Sequence, residues 1–169
     1  MNDIDDSIKQ WIKQTFNKPL DDFDIHSIPY LSLPRYKFFL IEQKGLRDAG
    51  DIYVMSDGSE TLLASRDNFS HILRQEAYLD NPTLLTAPQL AELILRMAEG
   101  RSGGIITDSD VIVDDVDVSS FSPPSIQQAD EGIILKFWSL DVYMSEVSRW
   151  TVYIDRDYQV DSKAVVLDA

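Results

Sequence analysis

The two histidines, His26 and His71, are the first candidates for a catalytic role, because histidine is a common general base. A serine nucleophile would need such a base and an orienting carboxylate, yet no serine lies in a Gly-x-Ser-x-Gly motif. His71 falls within a predicted helix, and His26 falls in a proline-rich connection. The chain has no cysteine, which excludes thiol nucleophiles, disulfides and cysteine-ligated metals. The residue types therefore argue against a catalytic triad.

Motifs for phosphate or metal binding are incomplete. The glycine-rich segment 100–104 (GRSGG) lacks the Lys-Ser/Thr pair of a P-loop and precedes a predicted strand, whereas a phosphate loop opens a helix. The segment 108–110 (DSD) begins like an EF-hand, but Val113 and Ser119 stand where glycine and glutamate are required. We therefore predict neither a cofactor nor a metal ion.

The distribution of charge is the most informative feature of the chain. Its 169 residues include 29 acidic and 15 basic ones, which gives a net charge of −14. Residues 104–169 carry 13 of the acids and only 4 of the bases, and residues 107–131 contain no lysine or arginine. This balance argues against nucleic-acid binding, which requires clustered basic residues. The candidate binding residues in this region are Asp108, Asp110, Asp114, Asp115, Asp117 and Phe121.

Like charges at this density stay in water or meet a cationic partner, because an unpaired buried carboxylate is costly. We expect these aspartates to face solvent without a bound metal. The sequence favours a non-catalytic, acidic, cytosolic protein that binds a basic partner protein, in the manner of an inhibitor or adaptor. A second interpretation, a solvated strand edge and loop whose charges deter aggregation, stays open.

The alternative function is a small-molecule-binding or enzymatic domain with a pocket between a sheet and the helices. Aromatic side chains from neighbouring strands would line this pocket, and a basic residue would anchor an anion there. The residues proposed for it are Trp138, Tyr143, Arg149, Trp150 and Tyr153. A third alternative is a structural subunit that docks through the apolar stripe of the first helix.

The first helix is predicted over residues 3–17. Ile4, Ile8, Trp11 and Ile12 recur with the period of an α-helix and form a single apolar stripe. Aspartates stand at its beginning, where they favour the positive end of the helix dipole, and a proline follows its end. We predict that the stripe is buried against a sheet or a second subunit.

The rest of the first half reads as a meander followed by two helices. Three strands are predicted between residues 36 and 65, with a tight turn at Asp57-Gly58, whereas the prolines of 19–35 disfavour regular structure. Asp67 is the predicted cap of the first of the two helices. Thr86 and Gln89 have the spacing of a capping box at the start of the second.

The second half reads as β-structure. Strands are predicted over 132–143 and 148–154, with a short terminal strand after them and a loop over 119–128. Within 148–154, alternation places Trp150, Val152 and Ile154 on one face. The predicted fold class is α+β, with an antiparallel sheet in two meander-like groups and an N-terminal helix and a central helix pair packed on it.

Length and composition favour one domain over 1–169, with a division into 1–103 and 104–169 as the alternative. The first residues lack the basic flank and apolar core of a signal peptide, and no apolar run is long enough to span a bilayer. A cytoplasmic protein without membrane contact is the resulting expectation. The oligomeric state does not follow from the sequence.

Overall fold

The computed structural model describes residues 3–46, 51–101, 103–111, 116–141 and 144–167. Within these ranges the helices and strands are α1 (Asp3–Phe16), β1 (Phe23–Ser32), β2 (Lys37–Gln43), β3 (Ile52–Ser56), β4 (Thr61–Leu63), α2 (Arg66–Gln75), α3 (Ala87–Leu93), β5 (Gly104–Ile106), β6 (Ser125–Ala129), β7 (Gly132–Asp141), β8 (Glu146–Asp155) and β9 (Val160–Leu167). The strands form two antiparallel sheets. Sheet 1 has the order β1-β2-β3-β4, and sheet 2 has the order β5-β7-β8-β9 with β6 also paired to β7. The predicted α+β class is confirmed.

Sheet 1 begins one strand earlier than predicted. The proline-rich connection contains β1, so the expectation of irregular structure there is wrong. Pro29 is tolerated because β1 lies at the edge of the sheet and its pairing with β2 is irregular between Ser27 and Ser32. A proline at such a place removes no hydrogen bond from the ladder. The segment can form a strand because it lies at the sheet edge, a position that only the tertiary structure reveals.

Helix α1 packs on the outer face of sheet 1. Ile8 and Ile12 are fully buried in a cluster with β1, β2 and β3, as the helical stripe predicts. Trp11 is partly buried and meets the ring of Phe16 edge-on at a centroid distance of 5.7 Å. The side chain of Ile4 lies outside the described residues.

The central helices are capped by hydroxyl side chains. Ser65, not Asp67, caps α2, because its side chain accepts a hydrogen bond from the amide of Asn68. In α3 the predicted capping box between Thr86 and Gln89 is present. The helix then continues into a π-helical turn at Ile94–Ala98. No described helix has both the length and the apolar character needed to span a bilayer.

Sheet 2 completes the core. Its inner face, which packs on the central helices, includes Trp150, Val152 and Ile154, so the predicted common face is confirmed. Trp150 stacks on Phe137 at 5.6 Å, and its indole N–H donates to the Ser139 hydroxyl at 2.9 Å. The same core contains side chains of sheet 1. The central helices therefore lie between the two sheets.

The segment between β5 and β7 differs in part from its prediction. The strand β5 ends at Ile106, and the described residues that follow it before β6, 107–111 and 116–124, contain no strand and one short helical turn at Ser109–Val111. The predicted loop 119–128 is shorter, because β6 begins at Ser125 and pairs with β7. We call residues 107–111 and 116–124 the acidic loop.

Two buried tyrosines should make the free energy of unfolding fall as the pH rises through the alkaline range. Burial raises the pKa of Tyr78 to about 12. Burial, and then its hydrogen bond and charge interaction with Glu60, raise the pKa of Tyr36 to about 12. An unfolded tyrosine ionises near pH 10, so these groups stabilise the fold fully below about pH 10 and lose this contribution as the pH rises to about 12.

We expect urea midpoints to be nearly constant up to about pH 9.5 and to fall steeply by pH 11. The Tyr78→Phe variant should be less stable than wild type at pH 8, because the carbonyl of Pro82 loses its hydroxyl partner at 3.2 Å. The gap between the two proteins should narrow at pH 11. A constant gap across this range would contradict the assignment.

Candidate functional site

The acidic loop places its described carboxylates in water. Asp108, Asp110 and Asp117 are all exposed, which confirms the solvent-facing prediction for these three. Asp114 and Asp115 lie outside the described residues. Within the part of the loop that the structure describes, none of the three carboxylates forms an ion pair with a described basic residue.

Local hydrogen bonds hold two of these carboxylates. The Asp108 carboxylate accepts from the amide of Asp110 at 3.1 Å, and the Asp117 carboxylate accepts from the amide of Ser119 at 2.9 Å. Hydrogen bonds from the Ser119 hydroxyl and amide lower the pKa of Asp117 below its ordinary value. This carboxylate is therefore charged throughout the neutral range. Among the described residues, no group of histidine, aspartate and glutamate side chains is arranged to hold a metal ion.

Two apolar residues of the acidic loop attach it to sheet 2. Val116 and Phe121 pack against a buried cluster of Ile106, Trp138 and Val147 on the outer face of the sheet. The ring of Phe121 meets that of Trp138 edge-on, at 5.4 Å between centroids and an interplanar angle of 74°. Phe121, a candidate binding residue, is thus partly buried and anchors the loop.

Three of the residues proposed for the alternative pocket line one cavity. Trp138, Arg149 and Trp150 border a space of about 330 Å³ together with Ser120 and Ser122 of the acidic loop. This cavity lies on the outer face of sheet 2, whereas the sequence-based proposal put a pocket between sheet and helices. Its remaining described walls are Lys136, Phe137 and Thr151.

Of the other two residues in that proposal, the one that the structure describes, Tyr153, does not line this cavity. Tyr153 is further along β8, opposite Ile134 of β7, and it is partly buried. Tyr143 lies outside the described residues. A separate cavity of about 470 Å³ is bordered by Arg156 and Asp130. There the Arg156 side chain already binds the carbonyl of Asp130 at 2.6 Å and the carboxylate of Glu131 at 3.3 Å.

A polar cluster that sequence reasoning missed is centred on Arg96 in the π-helical turn. The guanidinium binds the carboxylate of Glu92 at 3.0 Å, the hydroxyl of Tyr53 at 2.8 Å and the carbonyl of Gly103 at 3.3 Å. Glu92 also accepts from the Tyr30 hydroxyl at 2.9 Å. The cluster therefore joins β1 and β3 of sheet 1 to the central helices.

The charges of this cluster satisfy one another. Burial raises the pKa of Tyr53, more strongly than Arg96 lowers it. Burial by itself lowers the pKa of Arg96, but the charges of Tyr53 and Glu92 raise it overall. Both shifts favour a neutral Tyr53 hydroxyl and a charged Arg96 guanidinium. Because its contacts join sheet 1 to the central helices, we call this cluster the clamp. The four-residue spacing of Glu92 and Arg96 was the one signal of it in the sequence.

Among the described residues, the sequence-predicted candidates come together at two adjoining places, the acidic loop and the cavity beside it. No protein-family model, no curated protein and no solved structure matches this chain.

Proposed function

We propose that the protein is a non-catalytic binding protein whose acidic loop recognises a basic surface on a partner protein. The observation that carries this proposal is the anchoring of the loop. Val116 and Phe121 pack on sheet 2, while Asp108, Asp110 and Asp117 point into solvent. Because the loop is fixed to the sheet, its exposed carboxylates are held where a partner can contact them.

Charge also favours such a partner at long range. The net charge of −14 attracts basic proteins and repels acidic ones, which raises the rate of productive encounters at low ionic strength. Exposed charge pairs contribute little affinity individually, so binding would also need apolar anchors. The exposed Val118, within the acidic loop, is an apolar side chain available for such a contact.

The test compares two variants with the same change of charge. The first replaces Asp108, Asp110 and Asp117 by asparagine, and the control replaces Asp21, Asp80 and Asp157, which are exposed elsewhere. Each is immobilised and used to capture proteins from lysate at about 50 mM and about 500 mM salt. A partner protein captured by immobilised wild type is then purified. Its association rate is measured with the wild type, the loop variant and the control variant.

We expect the loop variant to fold as well as wild type or slightly better, because charge repulsion is relieved. It should associate with the partner roughly tenfold more slowly at low salt, whereas the control should stay near wild type. The difference should shrink at high salt. Equal losses in both variants, or the lack of any salt-sensitive partner, would refute the proposal. Loss of folding in the loop variant would show instead that these carboxylates are structural.

A further inference from the structure

Three basic side chains lie close together on the outer face of sheet 2. In the strand register Lys136 of β7 is opposite Thr151 of β8, and Thr151 is opposite Lys163 of β9. Arg149 lies two residues before Thr151 and therefore on the same face. Because adjacent strands are about 5 Å apart, these three bases surround Thr151 within about 10 Å.

These bases lack a close carboxylate partner in the described part of the protein. Lys136, Arg149 and Lys163 form no ion pair with a described residue, although the chain has nearly twice as many acids as bases. By contrast, Arg66 and Arg96 each bind a glutamate. Three like charges on one sheet face repel one another, and an anion between them would remove this repulsion.

The cavity beside these bases is lined by hydrogen-bond donors. Lys136 and Arg149 border it, as do the hydroxyl residues Ser120, Ser122 and Thr151. Its described lining contains no carboxylate. The volume of about 330 Å³ is at the lower end of the range for small-molecule sites, so it fits a small ligand.

We propose that this cavity binds the phosphate group of a small phosphate monoester. A monoester carries nearly two negative charges near pH 7 and three terminal oxygens, which match two bases and several hydroxyl donors. Arg149 would hold two of the oxygens in a bidentate contact, and Lys136 would supply a second positive charge. A carboxylate has one charge and two oxygens, and it would leave donors unused.

The acidic loop disfavours ligands that carry many negative charges. Asp117 stands three residues before Ser120, which borders the cavity, and its charge faces solvent. Together with the net charge of −14, this repels polyanions such as nucleic acids. Phosphate binding in this cavity would not depend on the proposed partner binding, because the two use side chains of opposite charge.

The experiment is a titration of the isotopically labelled protein followed by amide chemical shifts. The probes are inorganic phosphate, phenyl phosphate and benzoate, each at up to about 10 mM, with ionic strength held constant by sodium chloride. We expect both phosphates to perturb the amides of 120–122, 136–138 and 149–151 in a saturable manner. Benzoate should bind these positions at least tenfold more weakly.

Two double variants that lose the same positive charge show whether phosphate binding requires the bases at the cavity or only positive charge in general. Lys136→Gln with Arg149→Gln should weaken phosphate binding at least tenfold. The control replaces Lys13, in the last turn of α1, and Lys18, which follows the helix, by glutamine and should leave phosphate binding unchanged. Both double variants should melt near the wild-type temperature. The proposal is overturned by shifts that do not saturate, by shifts at other positions, by equal weakening in both variants, or by benzoate binding as tightly as phenyl phosphate.

Discussion

Replacing Gly132 by alanine is expected to lower the free energy of unfolding by about 3–5 kcal/mol. Gly132 begins β7 with a φ of +151°, a conformation that residues with a side chain rarely adopt. A Cβ atom there would overlap the carbonyl oxygen of Ile154 and would lie 2.9 Å from the Cα of Asp155. Both contacts are with backbone, so β7 and β8 would have to separate at their paired ends.

The measurement is urea denaturation followed by tryptophan fluorescence. The control is Gly104→Ala in β5, where an added Cβ would meet nothing within 4 Å and φ is not positive. It should change the free energy of unfolding by less than about 0.5 kcal/mol. If Gly132→Ala were no more destabilising than Gly104→Ala, the backbones of β7 and β8 would not be in close contact at Gly132, contrary to the structure.

Replacing Glu92 by leucine is expected to lower the free energy of unfolding by about 2–3 kcal/mol. The Arg96 and Glu92 side chains are only 19% and 20% exposed, so solvent compensates poorly for a missing partner. In the variant, Arg96 would keep its charge without a carboxylate, and the Tyr30 hydroxyl would lose its acceptor. Removing one partner of a shielded pair is more damaging than removing both.

A double-mutant cycle with Arg96→Met measures this coupling. The double variant should be more stable than the sum of the two single losses implies, with an interaction energy of about 1–2 kcal/mol. The comparison is the pair Arg156 and Glu131, whose side chains are both 69% exposed and whose coupling should be near zero. Additive losses at Glu92 and Arg96 would show that the clamp does not act as a unit.

Local features of the fold followed from local sequence. The stripe of Ile8 and Ile12 and the alternation of Trp150, Val152 and Ile154 each predicted the observed element and its buried face. The capping box of Thr86 and Gln89 predicted where α3 begins. These patterns depend on periodicity and on contacts between near neighbours in the chain. Such contacts are the same in any fold that contains the element, so the sequence was enough to predict them.

The edges and caps were harder to predict. A proline excludes a central strand but not an edge strand, and the sequence does not say that β1 lies at an edge. Likewise, Ser65 and Asp67 are both good caps by residue type, and the helix began after Ser65. For β1 the deciding feature was its position in the sheet, and for α2 it was which of two suitable nearby side chains meets the free amide of Asn68.

The sequence by itself determined the α+β class, the acidic character and the exposure of the charges at Asp108, Asp110 and Asp117. These follow from composition and from the cost of burying unpaired carboxylates. Only the tertiary structure decided that Phe121 anchors the acidic loop on Trp138, and that Lys136 and Arg149 border one cavity. Such pairs are distant in the chain, and they meet because strand register and sheet order, which no local pattern encodes, bring them to one face.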